Sequence, residues 1–226
     1  MRNAVVLSSI LAAVSFGCVQ AGAAEGAVLL DFESPLPSGL SAISFTQGTN
    51  VPGSARVTDQ YISTGVRVSG AALVALGLGH AASGVNGLAG VDANNRVDYS
   101  VPVSFDLFAP RDPAIPATTD YFAYSPDLAG SSNNNITISA YALDGTLLGE
   151  AKYVETGSFS PGSPLSISNI GQFHRVTVLQ TLFDVSSGGI GIDLVRFGDI
   201  SPVPEPNTLV LMLALGALAA LSSRHK

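Results

Sequence analysis

"ITISAYALDGTLLGEAKYV", residues Ile136–Val154, decides how the rest of the chain is read. Ile136, Ile138, Ala140 and Ala142 alternate with Thr137, Ser139 and Tyr141. Successive side chains leave a strand on opposite faces, so a period of two marks a half-buried strand. Asp144-Gly145 then interrupts the pattern before a second strand-like run. A dipeptide of this kind between two such runs predicts a two-residue type I′ hairpin turn, with positive φ at both positions.

The same alternation recurs on either side. In "VPVSFDL", Val101, Val103, Phe105 and Leu107 fall on one face, opposite Pro102, Ser104 and Asp106. In "HRVTV" from His174, Val176 and Val178 fall together. Turn-forming clusters separate these runs at Pro35–Gly39, Val51–Gly53, Pro110–Pro116, Ser131–Asn135 and Ser160–Pro164. Ala71–Leu78 reads equally as helix or strand, and no internal repeat stands out. Many short strands with turn residues between them predict an all-β domain, two antiparallel sheets packed as a β-sandwich. "PRDPAIP" (Pro110–Pro116) reads as a loop inside one domain, and Ser201-Pro202-Val203 as a short stiff linker leaving it.

The two ends have another character. In residues 1–24, Arg2 precedes an apolar stretch from Ala4 to Phe16, and Ala21-Gly22-Ala23 offers small residues for cleavage. This is the pattern of a secretory signal peptide. A lipoprotein signal would need Leu and a small residue ahead of Gly17-Cys18, where Ser15 and Phe16 stand. Cleavage removes Cys18, the single cysteine, so no disulfide staples the mature domain at 25–200. From Glu25 to Val203 there are 16 acidic and 7 basic residues, 7 − 16 = −9. Phosphate backbones need a basic face, so this balance argues against nucleic acid as a partner.

At the other end, "VPEPNTLVLMLALGALAALSSRHK" joins Pro204-Glu205-Pro206, an apolar run at Leu209–Leu221 and a basic tail at Arg224, His225 and Lys226. As a helix the apolar run is about 20 Å long, marginal for a membrane span, which takes about 20 residues. The basic cluster behind it favours a cytoplasmic C-terminus with the domain outside. Residues 201–226, in this order and spacing, resemble the PEP-CTERM sorting signal. The resemblance implies a partner, an exosortase-type membrane enzyme that recognises Pro204, Glu205 and Pro206. It also implies transient anchoring in the inner membrane, then a place on the surface or in the matrix of a Gram-negative bacterium that makes exopolysaccharide.

Within the domain, "VTDQYISTGVRVSG" (Val57–Gly70) is similar to a segment common near the start of PEP-CTERM ectodomains, with Val68 where Phe is usual. "GGIGIDLVRFGDI" (Gly188–Ile200) is similar to their closing strand, with a single Asp193 where two acids are more common. With "LLDFES" (Leu29–Ser34), the pattern resembles jelly-roll, galactose-binding-like and carbohydrate-binding modules. In such modules an acid after the first-strand Phe and one in the closing strand help hold a structural Ca²⁺. The resemblance carries that role to Glu33 and Asp193, with Asp31 beside them. The alternative for the same residues is that they are solvent-facing strand positions.

Other motifs carry less. "VDANNRVD" (Val91–Asp98) has Arg96 where an EF-type loop needs an oxygen ligand, and reads as a polar turn. "GLGHAASG" (Gly77–Gly84) has neither the spacing nor the context of a nucleotide loop and reads as a flexible connection. His80 and His174 lie in no catalytic motif, His174 being expected on a sheet face. No Trp offers a platform for sugars, and Tyr121 and Tyr124 are expected to pack in strands and core. These readings lead to a non-enzymatic surface or matrix protein, structural or adhesive in the exopolysaccharide layer. The alternative is a calcium-supported glycan-binding module, with an enzyme acting on the polysaccharide behind both.

Overall fold

The computed structural model describes residues 26–33, 35–77, 81–128, 132–157, 164–182 and 190–203. The expected signal peptide, sorting motif, apolar run and basic tail lie outside the described residues, as does His80. Seven strands come first: β1 (Val28–Leu30), β2 (Ile43–Ser44), β3 (Arg56–Val57), β4 (Val66–Ser69), β5 (Ala71–Ala75), β6 (Asn86–Gly90) and β7 (Val103–Ala109). Seven more follow: β8 (Asp112–Leu128), β9 (Ser132–Tyr141), β10 (Leu147–Gly157), β11 (Leu165–Phe173), β12 (Arg175–Leu182), β13 (Ile190–Phe197) and β14 (Ser201–Pro202). Helical structure among the described residues is limited to 3₁₀ turns at Gly53–Ala55 and Ile62–Thr64. The all-β expectation holds.

The ladder is continuous but divides into two sheets where the chain turns from β7 into β8. One sheet runs β4-β7-β12-β9-β10, antiparallel throughout. The other is built on β11-β8-β13-β6-β5, with β1 added to β13, β2 and β3 to β5, and β14 to β8. β2 is parallel to β5. The sheets face one another across an apolar core. Phe105 of the first meets Phe122 and Phe197 of the second at ring separations of 5.6 and 6.0 Å. Val103, Phe105, Leu107, Ile136, Ile138, Ala140, Val176 and Val178 are all buried, as their alternation predicts.

β5 was ambiguous in sequence for a physical reason. Ala71–Val74 are buried on both faces, because a second cluster of Val51, Ala72, Val74, Leu76, Val97 and Tyr99 covers the outer side of β5 and β6. A strand covered on both faces loses its period of two.

Several local expectations change. The β9–β10 connection is a three-residue loop, Leu143-Asp144-Gly145, in which Gly145 has φ +84° and Asp144 does not share the positive φ. Gly145 N–H donates to Ala142 O at 3.0 Å and Ala142 N–H to Thr146 O at 2.8 Å. That is a type I turn closed by a left-handed glycine. Of the expected loop at Pro110–Pro116, only Pro110–Arg111 turns, and β8 already begins at Asp112. The expected linker is tied down as well. Ser201 and Pro202 pair with Thr118 and Ala117, and Val203 N–H donates to Pro116 O at 2.9 Å. His174 sits at the bend between β11 and β12, its Nδ1 2.9 Å from Ala117 O and its ring edge-on to Phe108.

Candidate functional site

Three of the sequence-derived site residues, Asp31, Glu33 and Asp193, meet at one end of the second sheet. β1 pairs with β13 in the register Leu30↔Val195, which carries the chain beyond Leu30 alongside Asp193. Both chains then bend out of regular strand: Phe32 has φ +54° and Leu194 φ +45°. A non-glycine residue in the left-handed region costs about 1 kcal/mol or more. The β13–β8 register shifts between Asp193 and Arg196, a bulge that re-aims side chains. Asp193 is completely buried as a result, and Glu33 is half-buried.

The segment Ser83–Asn86, whose first two residues end the Gly77–Gly84 stretch read in sequence as a flexible connection, closes over the pair. Glu33 Oε1 accepts the N–H groups of Val85 and Asn86, each at 2.8 Å. Glu33 Oε2 accepts Asn86 Nδ2 at 3.3 Å. Asp193 Oδ2 accepts the Ser83 N–H at 2.7 Å, and Oδ1 the Leu194 N–H at 2.6 Å. Gly84 is tight against this clasp: a Cβ there would lie 2.6 Å from Glu33 Cδ. Ser83, Val85 and Asn86 carried no sequence signal, because their contribution is mostly backbone N–H and any residue type supplies one.

Burial raises the Asp193 pKa above the ordinary carboxylate value; hydrogen bonds from Ser83 and Leu194 pull it down, and the charge of Glu33 pushes it up again. The net shift is upward, and no cationic side chain among the described residues takes part in it. The oxygen geometry points the same way. Ser83 Oγ lies 2.8 Å from Asp193 Oδ1, 2.8 Å from the Asp31 carbonyl and 3.4 Å from Glu33 Oε1. One hydroxyl proton serves one of these three acceptors at a time. Each carboxylate oxygen also accepts an N–H, so what gathers around the Ser83 hydroxyl is two carboxylates and a carbonyl, oxygen types that a hard cation takes.

Asp31 enters through its carbonyl, while its exposed carboxylate accepts, among the described residues, the Glu33 N–H at 3.3 Å. Among the described residues no three His, Cys, Asp or Glu side chains gather for a metal, so a cation here would rest on two carboxylates plus neutral oxygens. Asp92 behaves as the polar-turn reading expects: its Oδ1 accepts the Arg96 N–H at 2.7 Å, and Asn95 takes φ +64°. Of the two tyrosines expected in the core, Tyr124 is fully buried but Tyr121 is exposed.

No curated protein sequence matches the chain. Among solved structures, a DUF4465 family protein from Bacteroides caccae superposes with a TM-score of 0.38 at 9% identity, over 80% of this chain and 100% of that one. The CBM22-1–GH10 modules of the Clostridium thermocellum endo-1,4-β-D-xylanase 10B, complexed with xylohexaose, superpose with a TM-score of 0.26 at 15% identity. That match covers 74% of this chain and 29% of the xylanase chain. At the sequence level the PEP-CTERM protein-sorting motif matches residues 202–226. The chain therefore carries a PEP-CTERM sorting signal, which implies export, transient membrane anchoring and processing by exosortase-type machinery.

Proposed function

We propose that this is a non-catalytic surface protein that passes through the inner membrane of a Gram-negative cell and ends in its exopolysaccharide layer, where the sandwich acts as an adhesive or structural module. The observation that carries this reading is the sorting motif placed directly against a folded domain. β14 ends at Pro202, Val203 is still bonded to Pro116, and Pro204-Glu205-Pro206 follows at once. Proline on both sides of Glu205 disfavours helix there and keeps the segment open to an enzyme.

The same reading gives the domain a calcium brace. The carboxylates of Glu33 and Asp193, the Asp31 carbonyl and the Ser83 hydroxyl would supply part of the roughly six to eight oxygens that calcium takes. Bound calcium supplies positive charge between two carboxylates that otherwise repel. The chain's own part is to hold the start of the domain against its closing strand, so that β1 and β13 stay paired outside the cell.

Replacing Pro204, Glu205 and Pro206 together by alanine tests the destination. The expected result is an unprocessed chain that stays with the inner membrane in cell fractionation. A triple variant that is processed and located like the parent protein would remove the basis of the proposal.

A further inference from the structure

A second site lies on the outer face of β8 and β11, away from the carboxylate pair. Ser168 of β11 is opposite Tyr121 of β8, yet the next paired residues are Phe173 and Thr119. β11 thus spends five residue steps where β8 spends two, and the surplus loops outward as Asn169–Gln172. Asn169 and Gly171 make this excursion at φ +60° and +92°, the residue types that tolerate the left-handed region best. Ile170 anchors it, partly buried against the core and so near Gly149 that a Cβ there would meet its Cγ2 at 3.1 Å.

The excursion walls an open concavity of about 440 Å³ lined by Asp120, Tyr121, Ser168, Asn169, Gly171 and Gln172. Strand alternation breaks here, since Asp120 and Tyr121 are adjacent and both exposed. Gly198 makes room for them: its N–H donates to Tyr121 O at 3.0 Å, and a Cβ on it would lie 3.1 Å from Asp120 Oδ1 and from Tyr121 Cβ. Among the described residues no hydrogen bond holds the Asp120 carboxylate, the Tyr121 hydroxyl or the Gln172 amide. Asn169 donates to Ser168 Oγ at 3.1 Å, which leaves its own carbonyl oxygen open.

We propose that this concavity binds a neutral pyranose unit of a polysaccharide, with the Tyr121 ring as platform. A pyranose has an apolar C–H face and a rim of hydroxyls. An exposed aromatic face edged by a carboxylate acceptor and amide groups matches both. The chain has no Trp, so tyrosine is the largest flat platform it has to offer. Asp120 within the site and the domain's net charge of −9 oppose an anionic polymer. The inference deepens the adhesive reading and rests on it for the source of the ligand, the exopolysaccharide around the cell.

The test is affinity electrophoresis of the full chain in mild detergent, through gels containing the neutral fraction of the host's own exopolysaccharide. The parent protein is expected to be retarded. Tyr121→Ala should weaken retardation about tenfold, in line with loss of one aromatic contact, and Tyr121→Phe should keep most of it. Asp120→Asn, which leaves the ring in place, should weaken it as well. Leu143→Ser, an exposed residue on the β9–β10 turn that is not among those lining the concavity, should change nothing. Retardation that survives both Tyr121→Ala and Asp120→Asn overturns the site and leaves adhesion elsewhere on the domain standing. A parent protein that is not retarded overturns the site and the adhesive reading together.

Discussion

Asp193 is buried without exposure beside Glu33, and each carboxylate survives there because N–H groups point at it. Hydrogen bonds of this kind offset the desolvation of one charge more readily than of two neighbouring ones. Asp193→Asn removes the charge and keeps one oxygen, enough for one of the Ser83 and Leu194 N–H donors, which bond to different oxygens of the carboxylate. The expected outcome is a domain that no longer gains thermal stability from calcium, read as the difference in Tm between calcium and chelator. Glu33→Gln should act alike; a calcium-dependent rise in Tm that persists in both variants would exclude the brace. Asp98 shows the opposite balance. Burial alone would raise its pKa, but bonds from the Ser100 hydroxyl and N–H, at 2.6 and 2.9 Å, and from Gln47 bring it below the ordinary value. A folded-state value below the unfolded one gives stability that is present above the unfolded value and lost as pH falls through the folded value. Ser100→Ala should therefore move the Asp98 carboxyl titration upward by NMR and diminish that acid-sensitive share of stability.

The β9–β10 hairpin shows where an element could be read and where it could not. Alternation from Ile136 to Tyr141 and the Asp144-Gly145 pair announced two strands and a turn. Turn length was not legible, because Asp-Gly serves both a two-residue and a three-residue loop. The longer form prevails with Asp144 Oδ1 accepting the Thr146 N–H at 2.9 Å, so that Gly145 alone takes positive φ. Nothing lies within 4 Å of a Cβ at Gly145, so Gly145→Ala meets only torsional strain. It should cost about 1 kcal/mol in urea unfolding, with Gly145→Asn costing less. Proline misleads the reading at two places. The loop expected at Pro110–Pro116 and the linker expected at Ser201–Val203 both contain paired strand: Pro116 still offers its carbonyl to Val203, and the two-residue β14 tolerates Pro202 at the sheet edge.

At the scale of the molecule, the two sheets are held by the core that Phe105 joins to Phe122 and Phe197, with Tyr153 of β10 hydrogen-bonded to both backbone groups of Ser166 on β11. Phe105 is wholly buried, and Phe105→Ala should lower unfolding free energy by about 3–5 kcal/mol, measured by denaturant titration. A loss under 1 kcal/mol would mean that the sheets do not face each other through this ring. By itself the sequence determined the class of the fold, the strands that alternate and the sorting signal, because period-two patterning and a contiguous motif are local properties of a chain. It also named Glu33 and Asp193, through a resemblance in their flanking segments. Only the tertiary structure decided that these two acids share one buried site under Ser83–Asn86, that Asp31 contributes a carbonyl, and that Tyr121 faces outward while Tyr124 lies in the core. Each of those depends on strand register and on bulges at Leu194 and Asn169–Gln172, where one shifted residue changes the face a side chain presents.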